Sequence, residues 1–351
     1  MAGGKGTRFW PLSRKRRPKH LLPITGEKSI IRYTVDRITP LVPEENIMIV
    51  TGESHSDEIK KELANLPEEN IIVEPVGRNT APCIGLAALS IKRKDPDAVM
   101  IVMPSDHLIG DEKTFLSVLS DAADTAKQGD YLVTVGIQPT KPETGYGYIE
   151  KGNSFDTTSN SAIYEVQSFR EKPDRATAEA FFKDGNFYWN SGMFIWKVST
   201  LLESIETFLP DLYQDLLRID EFLGTDRERD VVAGVYGDIE PISIDYGIME
   251  RANNVLMIPG DFAWSDVGSW DTLWEVLEKD ERGNVAKGKV LSVNTTDSLV
   301  FGSEKLITLV GVKNLIVVET GDALLICDKH ASQDVKKLVE NLEKENMKEY
   351  L

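Results

Sequence analysis

The chain has 351 residues, a formal net charge of −17, 41% hydrophobic residues and only two cysteines, Cys83 and Cys327. That length is too great for one small core and points to two domains. The acidity excludes broad nucleic-acid binding, which needs a basic face, and no apolar run reaches the ~20 residues that span a bilayer, so neither nucleic acid nor a membrane is an expected partner. Two lone cysteines make no disulfide framework or metal-ligand spacing, and the first residues lack an apolar secretory core, so a reducing cytoplasm is expected.

The first 26 residues contradict the overall acidity. They hold Lys5, Arg8, Arg14, Lys15, Arg16, Arg17 and Lys19, and no carboxylate precedes Glu27. Gly3, Gly4 and Gly6 thread the same stretch. Glycines let backbone N–H groups approach a phosphate, while Arg and Lys neutralise it. Ala2-Gly3-Gly4-Lys5-Gly6-Thr7-Arg8 is no Walker A loop, because the four-residue spacer is missing, and Phe9 stands where a dinucleotide fingerprint needs its third glycine. Arg8 and Lys19 flank Trp10-Pro11-Leu12, with Pro11, Pro18 and Pro23 stiffening the segment. Arg14 to Arg17 read as solvated charges.

Further along, strands are expected at Ile47–Val50, Ile71–Val73, Val99–Met103 and Leu132–Val135, with helices over roughly 28–39, 54–64, 80–94 and 112–127. This alternation predicts an α/β domain with a mostly parallel sheet covered on both faces. Ligands in such sheets sit beyond the carboxyl ends of the strands, at Glu74 to Thr80 and Pro104 to His107 here. From about 141 to 270 the pattern loosens into hairpins, loops and short helices. After Gly283 short strands follow near 289–294, 298–301, 306–310, 313–319 and 322–327, before a charged helix at about 332–347. They predict a small C-terminal β domain, a sandwich or a solenoid. The expected division is 1–282 and 283–351.

A phosphate loop normally follows a buried strand, but here it begins at Met1-Ala2-Gly3. The numbered chain is expected to lack a preceding strand of about five residues.

Several motifs keep two readings. Asp106, in Pro104-Ser105-Asp106-His107, either holds Mg²⁺ or caps a turn. Asp266, in Trp264-Ser265-Asp266-Val267-Gly268, either joins it at one metal site or caps the next helix. Lys172, in Phe169-Arg170-Glu171-Lys172-Pro173, suits a phosphate monoester or belongs to a surface charge cluster. Thr144-Gly145-Tyr146-Gly147-Tyr148 is either a close backbone approach to ligand or a tight hairpin. Asn190 offers an amide to a sugar hydroxyl or belongs to core and turn. Glu74, Asn79 and Thr80 suit a nucleoside or simple capping. No nucleophile elbow, paired Cys–His motif or zinc-protease helix occurs. Anion-binding groups without a nucleophile fit phosphoryl or nucleotidyl transfer, where positioning and charge stabilisation dominate.

Taken in order, these blocks resemble the sugar-1-phosphate nucleotidylyltransferases, and within them the bacterial mannose-1-phosphate guanylyltransferases. The matching blocks are AGGKGTRFWPLSR with Pro18-Lys19, EPVGRNTAP at 74–82, MPSDH at 103–107, PETGYGYI at 142–149, FREKP at 169–173, WNSGMF at 189–194, SIDYGIME at 243–250 and WSDVGSW at 264–270. The resemblance implies an α/β, Rossmann-like nucleotidyltransferase domain with a mostly parallel, mixed sheet and a small C-terminal β-helix-type domain. It implies that Gly3, Gly4, Gly6 and Thr7 cradle the nucleotide phosphates, with Arg8 and Lys19 as their cations. Asp106 and Asp266 would hold Mg²⁺, and Lys172 would meet the sugar phosphate. Gly145, Glu171, Asn190 and Asp245 would line the sugar pocket, while Glu74, Asn79 and Thr80 would lie near base and ribose. The substrates so implied are GTP and mannose 1-phosphate, with GDP-mannose and pyrophosphate as products. Alternatives are a sibling enzyme using another base or hexose, or a catalytically silent nucleotide-sugar-binding subunit. The isomerase domain fused to some relatives is expected to be absent. A homodimer is compatible with all of this.

Overall fold

The computed structural model describes residues 1–4, 6–157 and 159–351. Lys5, one of the early basic residues, lies outside the described residues.

The strands of the larger domain are β1 (Ile49–Gly52), β2 (Ile71–Glu74), β3 (Val99–Val102), β4 (Leu108–Ile109), β5 (Leu132–Ile137), β6 (Tyr148–Phe155), β7 (Ile163–Arg170), β8 (Phe187–Lys197), β9 (Val255–Gly260) and β10 (Trp264–Ser265). Its helices are α1 (Ile30–Ile38), α2 (Glu53–Glu62), α3 (Thr80–Lys94), α4 (Glu112–Lys127), α5 (Arg175–Asp184), α6 (Val198–Phe208), α7 (Pro210–Asp220), α8 (Glu228–Asp238) and α9 (Trp270–Val276).

Local chemistry accounts for the helix starts. The Ser29 hydroxyl accepts from the Arg32 amide at 3.2 Å and starts α1; Asp111 accepts from the Thr114 amide at 3.1 Å and starts α4. Residues Ala81 to Leu89 of α3 are all buried, as expected of a helix that is apolar all round. Together α3 and α6 cover one face of the sheet, with Ile84, Leu86, Trp196 and Leu201 in one core. On the other face α1 and α4 bury Ile31, Phe115, Val118 and Leu119 against Val133, Val135 and Ile195. The result is a three-layer sandwich.

The expected mixed sheet is present, with its strands divided. β1 and β2 pair in parallel, and a six-stranded sheet runs β3-β8-β5-β9-β7-β6. β5 and β9 are parallel, but the long β8 runs antiparallel between β3 and β5. β3 and β5 therefore share a direction without being neighbours, and along the six-stranded order only β5 and β9 pair in parallel, so this sheet is mixed rather than mostly parallel, because β8 and the β6–β7 hairpin insert antiparallel strands.

The smaller domain comprises β11 (Val285–Lys287), β12 (Val290–Val293), β13 (Leu299–Phe301), β14 (Ile307–Val310), β15 (Leu315–Glu319), β16 (Leu324–Asp328) and α10 (Val335–Lys344). β11, β13 and β15 stack in parallel, as do β12 and β14, which makes two walls of a short β-helix. Val285, Leu299 and Ile316 form one column of its core. That core continues into Phe9, Trp10 and Trp270. The Trp10 indole donates to Tyr350 O at 2.8 Å, and the Trp270 indole to Trp10 O at 3.1 Å. The segment after the glycine loop is thus clamped between domains. No helix among the described residues is long and apolar enough to cross a membrane.

Candidate active site

The glycine loop leaves the sheet at the carboxyl ends of β1 and β3. Ala2 makes a parallel bridge to Thr51, and the Ala2 amide donates to Val50 O at 2.8 Å. Gly6 has φ +59°, and a Cβ there would stand 2.6 Å from Lys19 Cβ. Only glycine lets the loop lie directly on Lys19. Gly3 and Gly4 are exposed with open space beside them, as a phosphate cradle requires. Thr7 to Phe9 form one 3-10 turn that buries Phe9 and leaves Arg8 exposed. Among the described residues Arg8 has no ion pair. Arg14, expected to be solvated, instead pairs with Asp322 of the β-helix at 2.9 Å and is only 18% accessible. Arg16 and Arg17 are exposed as expected.

Asp106 and Asp266 meet at one mouth because β4 and β10 pair antiparallel, Ser265 opposite Leu108 and Trp264 opposite Ile109. Lys19 is the hub: its buried Nζ donates to Asp106 Oδ2 at 3.0 Å and also to Asp266 O. Burial works against ionisation of Asp106, but the Lys19 ammonium outweighs it and holds the carboxyl at about 2. Asp106 is therefore a carboxylate at any working pH. Burial pushes His107 down to about 4, and its neutral ring accepts from the Trp264 indole at 3.1 Å through Nδ1. Tyr146 O–H donates to Asp266 Oδ1 at 2.6 Å, and burial and Asp266 together push that phenol well above its ordinary value.

A second cluster lies across β6, β7 and β8. Tyr148 pairs with both Arg170 and Trp189, so Gly147, Glu171 and Asn190 fall side by side. The Asn190 amide donates to Asp245 Oδ1 at 2.8 Å, and its backbone N–H donates to Gly147 O at 2.8 Å. Asp245 opens a π-helical turn, Asp245–Met249. Burial, then the neighbouring Glu171, push Asp245 up to about 6. Exposed Lys172 donates to Glu171 Oε1, and Glu171 N–H donates to Glu250 Oε1 at 2.9 Å. Gly145 N–H turns back on Glu143 Oε1 at 3.1 Å.

Glu74 ends β2, buried, with Oε1 unpartnered, and burial pushes its carboxyl up to about 7. Asn79 caps α3: its Oδ1 accepts from the Thr80 amide at 2.9 Å. The Thr80 hydroxyl accepts from the Ile244 amide at 2.8 Å, next to Asp245.

Lys19, Asp106 and Asp266 therefore touch directly, as do Glu171 with Lys172 and Asn190 with Asp245. The 144–148 turn joins the two clusters, through Tyr146 to one and Gly147 to the other. Thr80 is tied to the second cluster through Ile244, while Arg8, Glu74, Asn79 and Gly145 touch neither cluster. Sequence reasoning missed Tyr146, His107, Gly147 and Glu250 as individual site residues. Only the glycine–tyrosine alternation of 144–148 hinted at Tyr146 and Gly147.

Among the described residues no three His, Cys, Asp or Glu side chains converge on a metal-sized point. The two-carboxylate oxygen set still suits Mg²⁺, which takes one or two carboxylates plus substrate phosphates.

Residues 1–283 match the nucleotidyl transferase family, and residues 288–342 the MannoseP isomerase/GMP-like beta-helix domain. The chain belongs to the nucleotidyl transferase family, with that β-helix attached. Mannose-1-phosphate guanylyltransferases of Salmonella montevideo and Escherichia coli K12 are each 40% identical to it, across 100% of this chain and 74% of theirs. The crystal structure of mannose-1-phosphate geranyltransferase from Thermus thermophilus superposes with a TM-score of 0.87 at 32% identity over 98% of both chains. Within its family the chain thus groups with the mannose-1-phosphate guanylyltransferases.

Proposed function

We propose that the chain transfers GMP from GTP to mannose 1-phosphate, releasing pyrophosphate and forming GDP-mannose, as a cytoplasmic enzyme. Residues 1–282 would form the catalytic domain and 283–351 the β-helix domain. The observation that carries this reading is the convergence of Lys19, Asp106 and Asp266 beside the glycine loop. The names of the relatives supply the base and the sugar.

The triphosphate lies across Gly3, Gly4, Gly6 and Thr7, with Arg8 reaching it from the exposed rim. Mannose 1-phosphate binds in the second cluster, its hydroxyls on Glu171, Asn190 and Asp245 near Gly145, and its phosphate on Lys172. Glu74, Asn79 and Thr80 flank base and ribose. A sugar-phosphate oxygen forms a bond to the α-phosphorus as the α–β bridging P–O bond breaks, and pyrophosphate carries off the electron pair. The attacking phosphate is already largely ionised near neutrality, since its second pKa is about 6, so no general base is needed. Arg8 and Lys19 offset charge growing on the leaving group. Asp106 and Asp266 would hold Mg²⁺, which would supply charge neutralisation between the two phosphates when bound.

The test is pyrophosphate release with Mg²⁺ across a panel of nucleoside triphosphates and hexose 1-phosphates. GTP with mannose 1-phosphate should give the highest kcat/KM. No release from that pair, or faster release from another, overturns the assignment.

A further inference from the structure

The two aspartates of the first cluster are each bonded on one oxygen. The Lys19 ammonium donates to Asp106 Oδ2 at 3.0 Å, and the Tyr146 O–H donates to Asp266 Oδ1 at 2.6 Å. Among the described residues Asp106 Oδ1 and Asp266 Oδ2 have no hydrogen-bond partner. Gly268 lies beside Asp266 Oδ2: a Cβ there would stand 3.2 Å away, and glycine leaves that oxygen uncovered. Each carboxylate thus keeps one oxygen for a cation while an internal donor fixes the other.

The backbone of Asp266 is held from two sides. Its carbonyl accepts from Lys19, and Val267 behind it has φ +41°, a conformation rare for a β-branched residue. The Val267 side chain is fully buried in one core with Phe9 and Trp270, which keeps that turn in place. Backbone anchoring leaves the carboxylate free to rotate about its side-chain bonds. A short hydrogen bond to the charged group removes that freedom. Tyr146 is rigid enough to supply it, because its ring packs edge-on against Trp189 at 5.1 Å and against Trp264 at 5.3 Å. Trp264 in turn donates to His107, next to Asp106. The phenol so wedged has one proton to give, and Asp266 Oδ1 receives it.

We propose that Tyr146 is a positioning residue for the divalent cation: its O–H locks the Asp266 carboxylate by Oδ1, so that Oδ2 is left for the ion that Asp266 would share with Asp106. The proposal rests on the reading of these two aspartates as the Mg²⁺ ligands. Outer hydrogen-bond partners of metal-binding carboxylates are worth about 10–100-fold in metal affinity. The effect belongs to the metal and not to the sugar, although Tyr146 sits in the turn that leads to the sugar pocket.

Mn²⁺ serves as the probe, and its binding to the protein without substrates is followed by electron paramagnetic resonance. Tyr146→Phe keeps both ring contacts and removes only the O–H. It should weaken Mn²⁺ binding about tenfold or more and raise the Mg²⁺ concentration for half-maximal pyrophosphate release by a similar factor. At saturating Mg²⁺ its rate and its KM for mannose 1-phosphate should stay within about threefold of the parent's. In an Asp266→Asn background the same change should alter Mn²⁺ affinity less than about twofold, because the two residues act as one unit. Tyr148→Phe controls for loosening of the turn: it removes the O–H that donates to Glu143 O at 2.9 Å, and Mn²⁺ affinity should not change. A Tyr146→Phe protein that binds Mn²⁺ like its parent overturns the proposal. So does equal weakening by Tyr148→Phe, or an undiminished effect in the Asp266→Asn background. Mn²⁺ binding that neither Asp106→Asn nor Asp266→Asn weakens, or a parent that binds no Mn²⁺, overturns the ligand reading and the proposal with it. Failure of pyrophosphate release alone, with the Mn²⁺ pattern as expected, overturns the assigned reaction and supports the role of Tyr146.

Discussion

Gly6→Ala tests the loop's central contact. At φ +59° an alanine pays about 1 kcal/mol for the left-handed backbone. Its Cβ would stand 2.6 Å from Lys19 Cβ and 2.8 Å from Lys19 N. Neither atom is the tip of a flexible side chain, so the loop and the Lys19 turn must move apart, at an overpacking cost of about 1–3 kcal/mol. The total, about 2–4 kcal/mol, should lower Tm by roughly 3–7 °C. Moving Lys19 also withdraws its ammonium from Asp106 Oδ2 and Asp266 O. Turnover should then fall roughly 10²-fold, the scale for losing one preorganised charge. Gly4→Ala is the control, since nothing lies within 4 Å of a Cβ there. It should leave Tm within about 1 °C and raise only the KM for GTP, a pure ligand-approach effect. Thermal melting and pyrophosphate release measure both variants. A Gly6→Ala protein that melts and turns over like its parent would refute the packing argument.

Gly147→Ala puts a Cβ 2.5 Å from Glu171 Oε2, a flexible carboxylate tip, so KM for mannose 1-phosphate should rise about tenfold with little change in Tm, and unchanged KM would remove Glu171 from the sugar pocket. Arg8→Ala and Asp266→Asn should each slow turnover roughly 10²-fold, and steady-state rates near the parent's would strip either residue of its role. Glu74 makes stability fall with pH: its folded carboxyl titrates at about 7 instead of 4.5, so the unfolded chain releases its proton first. Folding stability should drop by about 3 kcal/mol between those two values, and Glu74→Gln should lose that slope; parallel Tm–pH curves for the two proteins would contradict the assignment.

Much of the local structure is readable because its causes are local. α3 and α4 span the expected residues, 80–94 and 112–127, since Asn79 and Asp111 mark their starts and apolar residues continue behind them. The strands in α/β alternation lie within about two residues of their expected positions for the same reason. The place of β8 in the sheet is not readable: nothing within Phe187–Lys197 records that it runs antiparallel between β3 and β5, which its pairing partners at 99–102 and 133–137 decide.

The site divides in the same way. The cations around the glycine loop are legible because an acidic chain that clears carboxylates from its first 26 residues leaves a visible pattern. The meeting of Asp106 with Asp266 depends on β4 and β10, two residues each, too short to carry any periodicity. Yet that ladder sets Leu108 and Ile109 against Ser265 and Trp264, segments far apart in the sequence. Tyr146 lies in the turn that precedes β6, and its hydroxyl donates to Asp266, the residue that follows β10. Charge and glycine placement announce what chemistry a segment can do. Which segments share that chemistry is set by pairings whose energy is spread over the whole sheet, and a two-residue strand at the mouth is where that long-range decision brings Asp106 and Asp266 together.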